Sequence, residues 1–229
     1  MKTRLLIAAA GSGRRLGLDI PKALVQVAGI PMIVRTLQRF EALELVDRAV
    51  VVVPRTHVDE FAAVLNERWP GDSLDIIEGG PRRQVSVSLG LNQLDEDTEF
   101  VLIHDAARPF VSASTIQAVR DSTAEFGAAT AAVPCSDTIL VGDGEGFLRQ
   151  TPARERLWSC QTPQGFRVDL IRSAHKNAAA QGVEVTDDAS LVRLAGGVVK
   201  LVPGSANNLK VTSLDDLKLA ELMVEGGLV

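Results

Sequence analysis

The strongest constraint on the fold is a set of uninterrupted apolar runs. "RLLIAAA" (4–10), "RAVVVVP" (48–54), "FVLIHD" (100–105) and "AATAAVP" (128–134) carry few polar side chains. A strand with one wet face alternates polar and apolar residues, whereas a continuous run suits a parallel strand covered on both faces. Between the runs lie helical patterns. Ile33, Val34, Leu37 and Phe40 share one helical face, as do Val58, Phe61, Ala62 and Leu65. Ile116, Val119 and Phe126 predict a third helix, and Ser213 with Asp216 three residues on reads as a capping box before the last one. The alternation predicts an α/β fold with a mainly parallel sheet. "VSVSLGL" (85–91) alternates with period two, as a strand would. A parallel sheet needs a crossover at that point, so a helix is expected.

With 229 residues the chain can bury one large core, and no repeat, linker or low-complexity tract divides it. A single domain over 1–229, with no second catalytic domain, is expected. Hydrophobic residues at 46% and charged residues at 23% are an ordinary soluble balance. The net charge of −5 does not advertise nucleic-acid binding, so any anion site must come from local Lys and Arg. Cys135 and Cys160 are too few for a disulfide framework and lack CxxC spacing; His57, His104 and His175 are too scattered for a zinc pattern. The apolar stretch 5–10 is too short to span a membrane, and a signal peptide would not continue into a glycine loop. The cytoplasm is the expected location. Residues 136–164 hold a Gly/Asp turn cluster between short apolar pieces and read as a projecting β-arm, with a partner subunit as the place to bury it.

The first chemical signal is "AAAGSGRRLGLDIPKAL" (8–24), directly after a strand. Gly11, Gly13 and Gly17 let backbone N–H groups approach phosphates. Their spacing is GxGxxxG rather than the dinucleotide GxGxxG, and the second apolar run ends in proline, with no carboxylate for a ribose. GxxxxGK[ST] is absent as well. Those departures weaken the NAD and P-loop readings. Arg14, Arg15 and Lys22 remain, close together, and fixed cations would stabilise charge developing on an attacked phosphorus. "HDAARPF" (104–110) follows another buried strand, where open α/β sheets bind ligands. Asp105 there can serve Mg²⁺ and Arg108 an anion, or Asp105 can cap the turn with Arg108 paired to it. In "TDDASLV" (186–192) Thr186 reads as a helix N-cap. Lys210, between Leu209 and Val211, either snorkels or aims at an anion.

Assembled in order, "AAGSGRRLG", "PKAL", "GGPRRQVSV", "HDAARPF", "ARERLW", "QTPQGF", "TDDAS" and "NNLKVTS" closely resemble the 2-C-methyl-D-erythritol 4-phosphate cytidylyltransferases of the non-mevalonate isoprenoid pathway. The resemblance covers nearly the whole chain. It implies a Rossmann-like nucleotidyltransferase fold of the glycosyltransferase-A type and a homodimer with interlocked β-arms. It also implies joining of CTP to methylerythritol phosphate with Mg²⁺. By the same resemblance Arg15, Lys22 and Lys210 stabilise the triphosphate and the transition state. Ala9, Ala10, Gly11, Gly80 and Ser86 frame the cytidine, and Arg83 supports that loop. Asp105 lies by the metal and the substrate junction. Arg108 and Thr186 contact the alcohol phosphate, and Arg154 reaches the partner subunit's site. The chain departs from the family's common pattern at Ala8, Ala23 and Pro81, where Pro, Gln and an acidic residue are frequent. Pro81 bears on base recognition because it has no backbone donor. Ribitol-5-phosphate cytidylyltransferases are the nearest alternative. A non-catalytic nucleotide-binding module is another, and it predicts loss of a charged set that this chain retains.

Overall fold

Why the apolar runs become strands is visible in how their side chains divide between two layers. In the computed structural model, residues 2–11, 13, 16–45, 48–71 and 74–229 are described. The elements in chain order are β1 (Thr3–Ala8), β2 (Gln26–Val27), β3 (Ile30–Pro31), α1 (Met32–Glu41), β4 (Ala49–Val53), α2 (Val58–Asn66), β5 (Leu74–Glu78) and α3 (Arg83–Asn92). Then come β6 (Phe100–Asp105), α4 (Ala113–Phe126), β7 (Ala128–Pro134), β8 (Val141–Gly142) and β9 (Leu148–Gln150). The chain closes with β10 (Trp158–Arg167), α5 (Val168–Gln181), α6 (Asp188–Leu194), β11 (Lys200–Pro203) and α7 (Leu214–Glu225).

A seven-stranded sheet runs β11-β7-β10-β6-β1-β4-β5. Successive side chains of a strand point to opposite faces. Leu5, Ile7, Val51 and Val53 therefore meet α1, α2 and α4 on one side. Leu6, Val50, Val52, Val101 and Ile103 meet α3, α5 and α6 on the other. Both faces are dry, which is why the sequence runs lack alternation. Each such side chain contributes roughly 1.5–3 kcal/mol by leaving water. A smaller cluster, with Val25, Met32, Phe110, Val211, Ala220 and Met223, packs α7 beside the strand ends.

The sheet is parallel except for β10, which lies antiparallel between β6 and β7. Strands β7 and β10 are joined by the arm, a hairpin-like connection that needs no crossover. Leu140, Phe147 and Leu148 of the arm are exposed, and β8 pairs with β9. Residues 161–164, read from sequence as part of the arm, are instead buried within the sheet. Cys135 and Cys160 are free thiols.

Residues 85–91 are helical, as the crossover argument required. Ser86, Val87, Gly90 and Leu91 form the buried stripe of α3, and the intervening residues face outward. Phe126 differs from its reading: it is exposed, with Lys200 Nζ 5.2 Å from its ring centroid. Thr123 faces the core in its place, its hydroxyl donating to the Val119 carbonyl at 2.7 Å. The capping box at Ser213 and Asp216 is present. Among the described residues no helix is long and apolar enough to cross a membrane.

Candidate active site

At the carboxyl ends of β1 and β6 lies a cleft of about 510 Å³. Ala9, Ala10 and Gly11 line one part of its wall and Gly80, Arg83 and Ser86 another, and Lys22, Asp105 and Lys210 line it as well. These sequence-predicted residues, spread over two hundred positions, meet in one place. Arg15 lies outside the described residues, as does Arg14.

The glycine loop has an identifiable local role. Gly13 has φ +64°, and a Cβ there would sit 2.8 Å from the Cβ of Lys22. Only glycine lets the loop pass this close to the lysine. The Gly80 N–H donates to Ser86 Oγ at 3.1 Å, and the Ser86 hydroxyl lies 3.0 Å from the Arg82 carbonyl. The wall at the start of α3 is thereby closed on itself.

Asp105 is the electrostatic centre. Its Oδ1 accepts from Arg83 Nε at 3.0 Å and its Oδ2 from Lys210 Nζ at 2.6 Å. Burial alone would push its pKa up. The charges of Arg83 and Lys210 outweigh burial and hold the carboxyl well below the usual carboxylate range. Asp105 is therefore an anion that orders two cations, not a proton acceptor. Lys210 comes from a stretch with no ladder, tied by the Val211 N–H to the Ala107 carbonyl at 2.9 Å. It aims at the carboxylate rather than snorkelling along Leu209.

Behind the carboxylate is a buried polar chain. The Asp105 N–H donates to Thr162 Oγ1 (3.1 Å), which lies 3.0 Å from His104 Nδ1. His104 Nε2 lies 3.0 Å from the Arg108 carbonyl. Burial lowers the His104 pKa to about 4, so the ring is neutral. A neutral ring that donates from Nε2 and accepts at Nδ1 satisfies both neighbours. The chain fixes the Asp105 peptide.

Arg108 does not pair with Asp105. Its Nη1 donates to the Asn208 carbonyl at 2.7 Å and its Nη2 to the Cys160 carbonyl at 3.2 Å, while its Nε is buried without a partner. Thr186 does not cap the helix. Asp187 is the N-cap of α6, its carboxylate accepting from the Ser190 N–H at 3.0 Å. Arg154 is exposed on the arm and donates to the Ser136 carbonyl at 3.0 Å. Arg108, Thr186 and Arg154 do not line the cleft.

Several supports have no role assigned from sequence. Asp188 suits a helix's first turn as an ordinary acid, yet it is buried and accepts from Arg83 Nη1 at 2.7 Å, with His175 Nε2 3.1 Å away. Gln164, Thr162 and Asn208 sit inside the motifs quoted above, so the signal is present without pointing to a role. Among the described residues no group of three or more His, Cys, Asp or Glu can hold a metal ion. Among those same residues Asp105 is the only carboxylate lining the cleft, and both its oxygens are engaged by cations. The described residues thus do not form a cage for Mg²⁺.

An open α/β sheet with a glycine-walled, lysine-lined cleft at its strand ends defines the class of nucleotide-phosphate-binding α/β proteins. The family model described as 2-C-methyl-D-erythritol 4-phosphate cytidylyltransferase matches residues 3–226. A protein of that name from Pelotomaculum thermopropionicum is 41% identical over 225 residues, 98% of this chain and 94% of the relative. The crystal structure of the Thermus thermophilus protein of the same name superposes with TM-score 0.80 at 36% identity, covering 98% of this chain and 100% of that one. A structure from Anaerococcus prevotii, described as a 4-diphosphocytidyl-2C-methyl-D-erythritol synthase, gives TM-score 0.85 at 27% identity, with 98% of each chain covered. The chain belongs to the 2-C-methyl-D-erythritol 4-phosphate cytidylyltransferase family.

Proposed function

We propose that this protein joins CTP and 2-C-methyl-D-erythritol 4-phosphate, giving 4-diphosphocytidyl-2-C-methyl-D-erythritol and pyrophosphate for isoprenoid precursor synthesis. The observation that carries the reading is the convergence of Lys22, Lys210, Arg83 and Asp105 on one glycine-walled cleft. Family membership supports the substrate pair.

A phosphate oxygen of the alcohol substrate attacks the α-phosphorus of CTP in line. The new O–Pα bond forms as the Pα–O bond to the β-phosphate breaks, and pyrophosphate leaves with that oxygen. The nucleophile is already ionised, so no general base is required. What the protein supplies is orientation and charge neutralisation. Lys22 and Lys210, with Arg15, stabilise the triphosphate and the pentacoordinate phosphorus. Ala9, Ala10, Gly11, Gly80 and Ser86 frame the cytidine, and Pro81 contributes shape without a donor. Asp105 sets Lys210 and Arg83 and meets the alcohol at the junction. Arg108 and Thr186 bind the alcohol phosphate. Magnesium would come in with the CTP phosphates beside Asp105, the carboxylate that lines the cleft, and would add to the charge neutralisation there. The working form is a homodimer in which each arm's Arg154 reaches the partner's alcohol phosphate. The reaction runs in the cytoplasm, with neither nucleic acid nor membrane as partner.

Pyrophosphate release from CTP, measured separately with methylerythritol phosphate and ribitol 5-phosphate, tests the reading. Turnover with the first and little with the second is expected. A strong preference for ribitol phosphate overturns the choice of alcohol, and CTP binding without release with either overturns the transferase reading.

A further inference from the structure

Residues 182–187 connect α5 to α6 without a helix or strand of their own. An irregular segment is placed by whatever satisfies its backbone polar groups. Val183 N–H turns back to the Ala178 carbonyl at 2.9 Å. Farther along, side chains take over. Gln84 Nε2 donates to the Val183 carbonyl at 3.1 Å, and Gln84 Oε1 accepts from the Val185 N–H at 3.1 Å. The amide thus pairs with residues i and i+2 as the peptide of a neighbouring strand would. At the far end Gln164 Oε1 accepts from the N–H groups of Asp188 (2.9 Å) and Ala189 (3.2 Å). Thr186 stands between the two glutamine anchors.

The near anchor sits on the nucleotide wall. Gln84 is one residue from Arg83 and two from Ser86, both of which line the cleft. A helix turns about 100° per residue, so neighbouring positions face different ways. Arg83 and Ser86 face the cleft while Gln84 reaches sideways to the 183–185 backbone. The exposed Arg82–Glu184 ion pair spans the same gap, and Arg83 grips Asp188 just beyond it. An exposed ion pair contributes little, whereas removing a paired amide leaves a backbone donor and acceptor to find new partners.

We infer that Gln84 is a positioning residue for the reaction. Its amide sets where Thr186 stands relative to the nucleotide wall, and so sets affinity for the polyol phosphate without touching CTP. The inference rests on the proposed assignment of Thr186 to that substrate.

Gln84→Met keeps length and helix preference but removes the amide; Gln84→Glu keeps the acceptor for Val185 N–H and loses the donor. Steady-state kinetics are measured for both and for Thr186→Val, with CTP affinity and binding stoichiometry by calorimetry. Gln84→Met is expected to raise KM for methylerythritol phosphate roughly tenfold. Its CTP affinity should stay within about twofold, the scatter of an uncoupled site. Gln84→Glu should fall between wild type and Gln84→Met. If Thr186→Val raises that KM and Gln84→Met does not, the inference is overturned while the Thr186 assignment stands. If neither variant moves it, the Thr186 assignment fails and takes the inference with it. A proportional loss of CTP-binding sites and activity in Gln84→Met, with KM unchanged, marks a purely structural role and also overturns it.

Discussion

Gly79→Ala is the sharpest test of how the cleft is assembled. Gly79 ends the approach to the α3 wall, its N–H donating to the Val53 carbonyl at 2.7 Å. A Cβ there would lie 2.5 Å from Ala10 Cβ, 2.9 Å from Ser86 Oγ and 3.2 Å from Val52 Cγ1. Carbon atoms pack at about 3.5–4.0 Å, so the Ala10 and Gly80 walls must part by roughly 1 Å. Overpacking of this kind costs about 1–3 kcal/mol. In a chain of this size each kcal/mol lowers Tm by about 2–4 °C, so a fall of roughly 2–12 °C is expected. A 1 Å misplacement of catalytic groups can cost on the order of 10²-fold in rate. The assay is pyrophosphate release with calorimetric CTP affinity, alongside thermal unfolding. Adding Ala10→Gly removes the worst clash and should restore part of both losses, because the two positions couple through one contact. Wild-type kcat/KM and Tm in Gly79→Ala would refute the claim that the walls are held this close.

Lys22→Ala and Lys210→Ala should each lower turnover by roughly 10²–10³ in the pyrophosphate assay, as removal of a single transition-state donor does. Arg154→Ala should weaken methylerythritol phosphate binding. Mixed with Lys22→Ala it should recover activity through heterodimers, whereas no recovery at any ratio would oppose action of the arm in trans. Burial holds His104 at about 4 against an ordinary 6.5. Its neutral form is favoured by folding, so the full contribution is present above pH 6.5 and is lost as pH falls from 6.5 to about 4. At about 1.36 kcal/mol per unit that loss is roughly 3 kcal/mol, and denaturant unfolding across this range should show a slope that His104→Gln reduces.

The parallel core was legible because burial on both faces leaves a plain mark, a run of apolar residues with no alternation. Residues 85–91 carried a misleading period of two, and the demand for a crossover was the better guide. Phe126 misled for a different reason. A helical face near its end can be completed by Thr123 once that hydroxyl bonds its own helix, which frees the aromatic ring to leave the core. Lys22, Asp105 and Lys210 were legible as charges in unusual places, behind a glycine loop, at a strand end and between apolar neighbours. Their convergence was supplied by topology that no local pattern contains. Asp188 and Gln84 were hidden because an acid in a first helical turn and a glutamine on a helix have ordinary local explanations. Their roles depend on partners some hundred residues away. At α6 the adjacent Thr186 and Asp187 both suit an N-cap, and the extended backbone of Asp187 with its carboxylate acceptor took the position.

A crystal structure of the protein with CTP bound tests the central claim most directly. Lys22 Nζ and Lys210 Nζ are both expected within about 3.2 Å of the nucleotide's phosphate oxygens, with the base against Gly80 and Ser86. A triphosphate seated elsewhere, or either lysine turned away from it into solvent, would contradict the account.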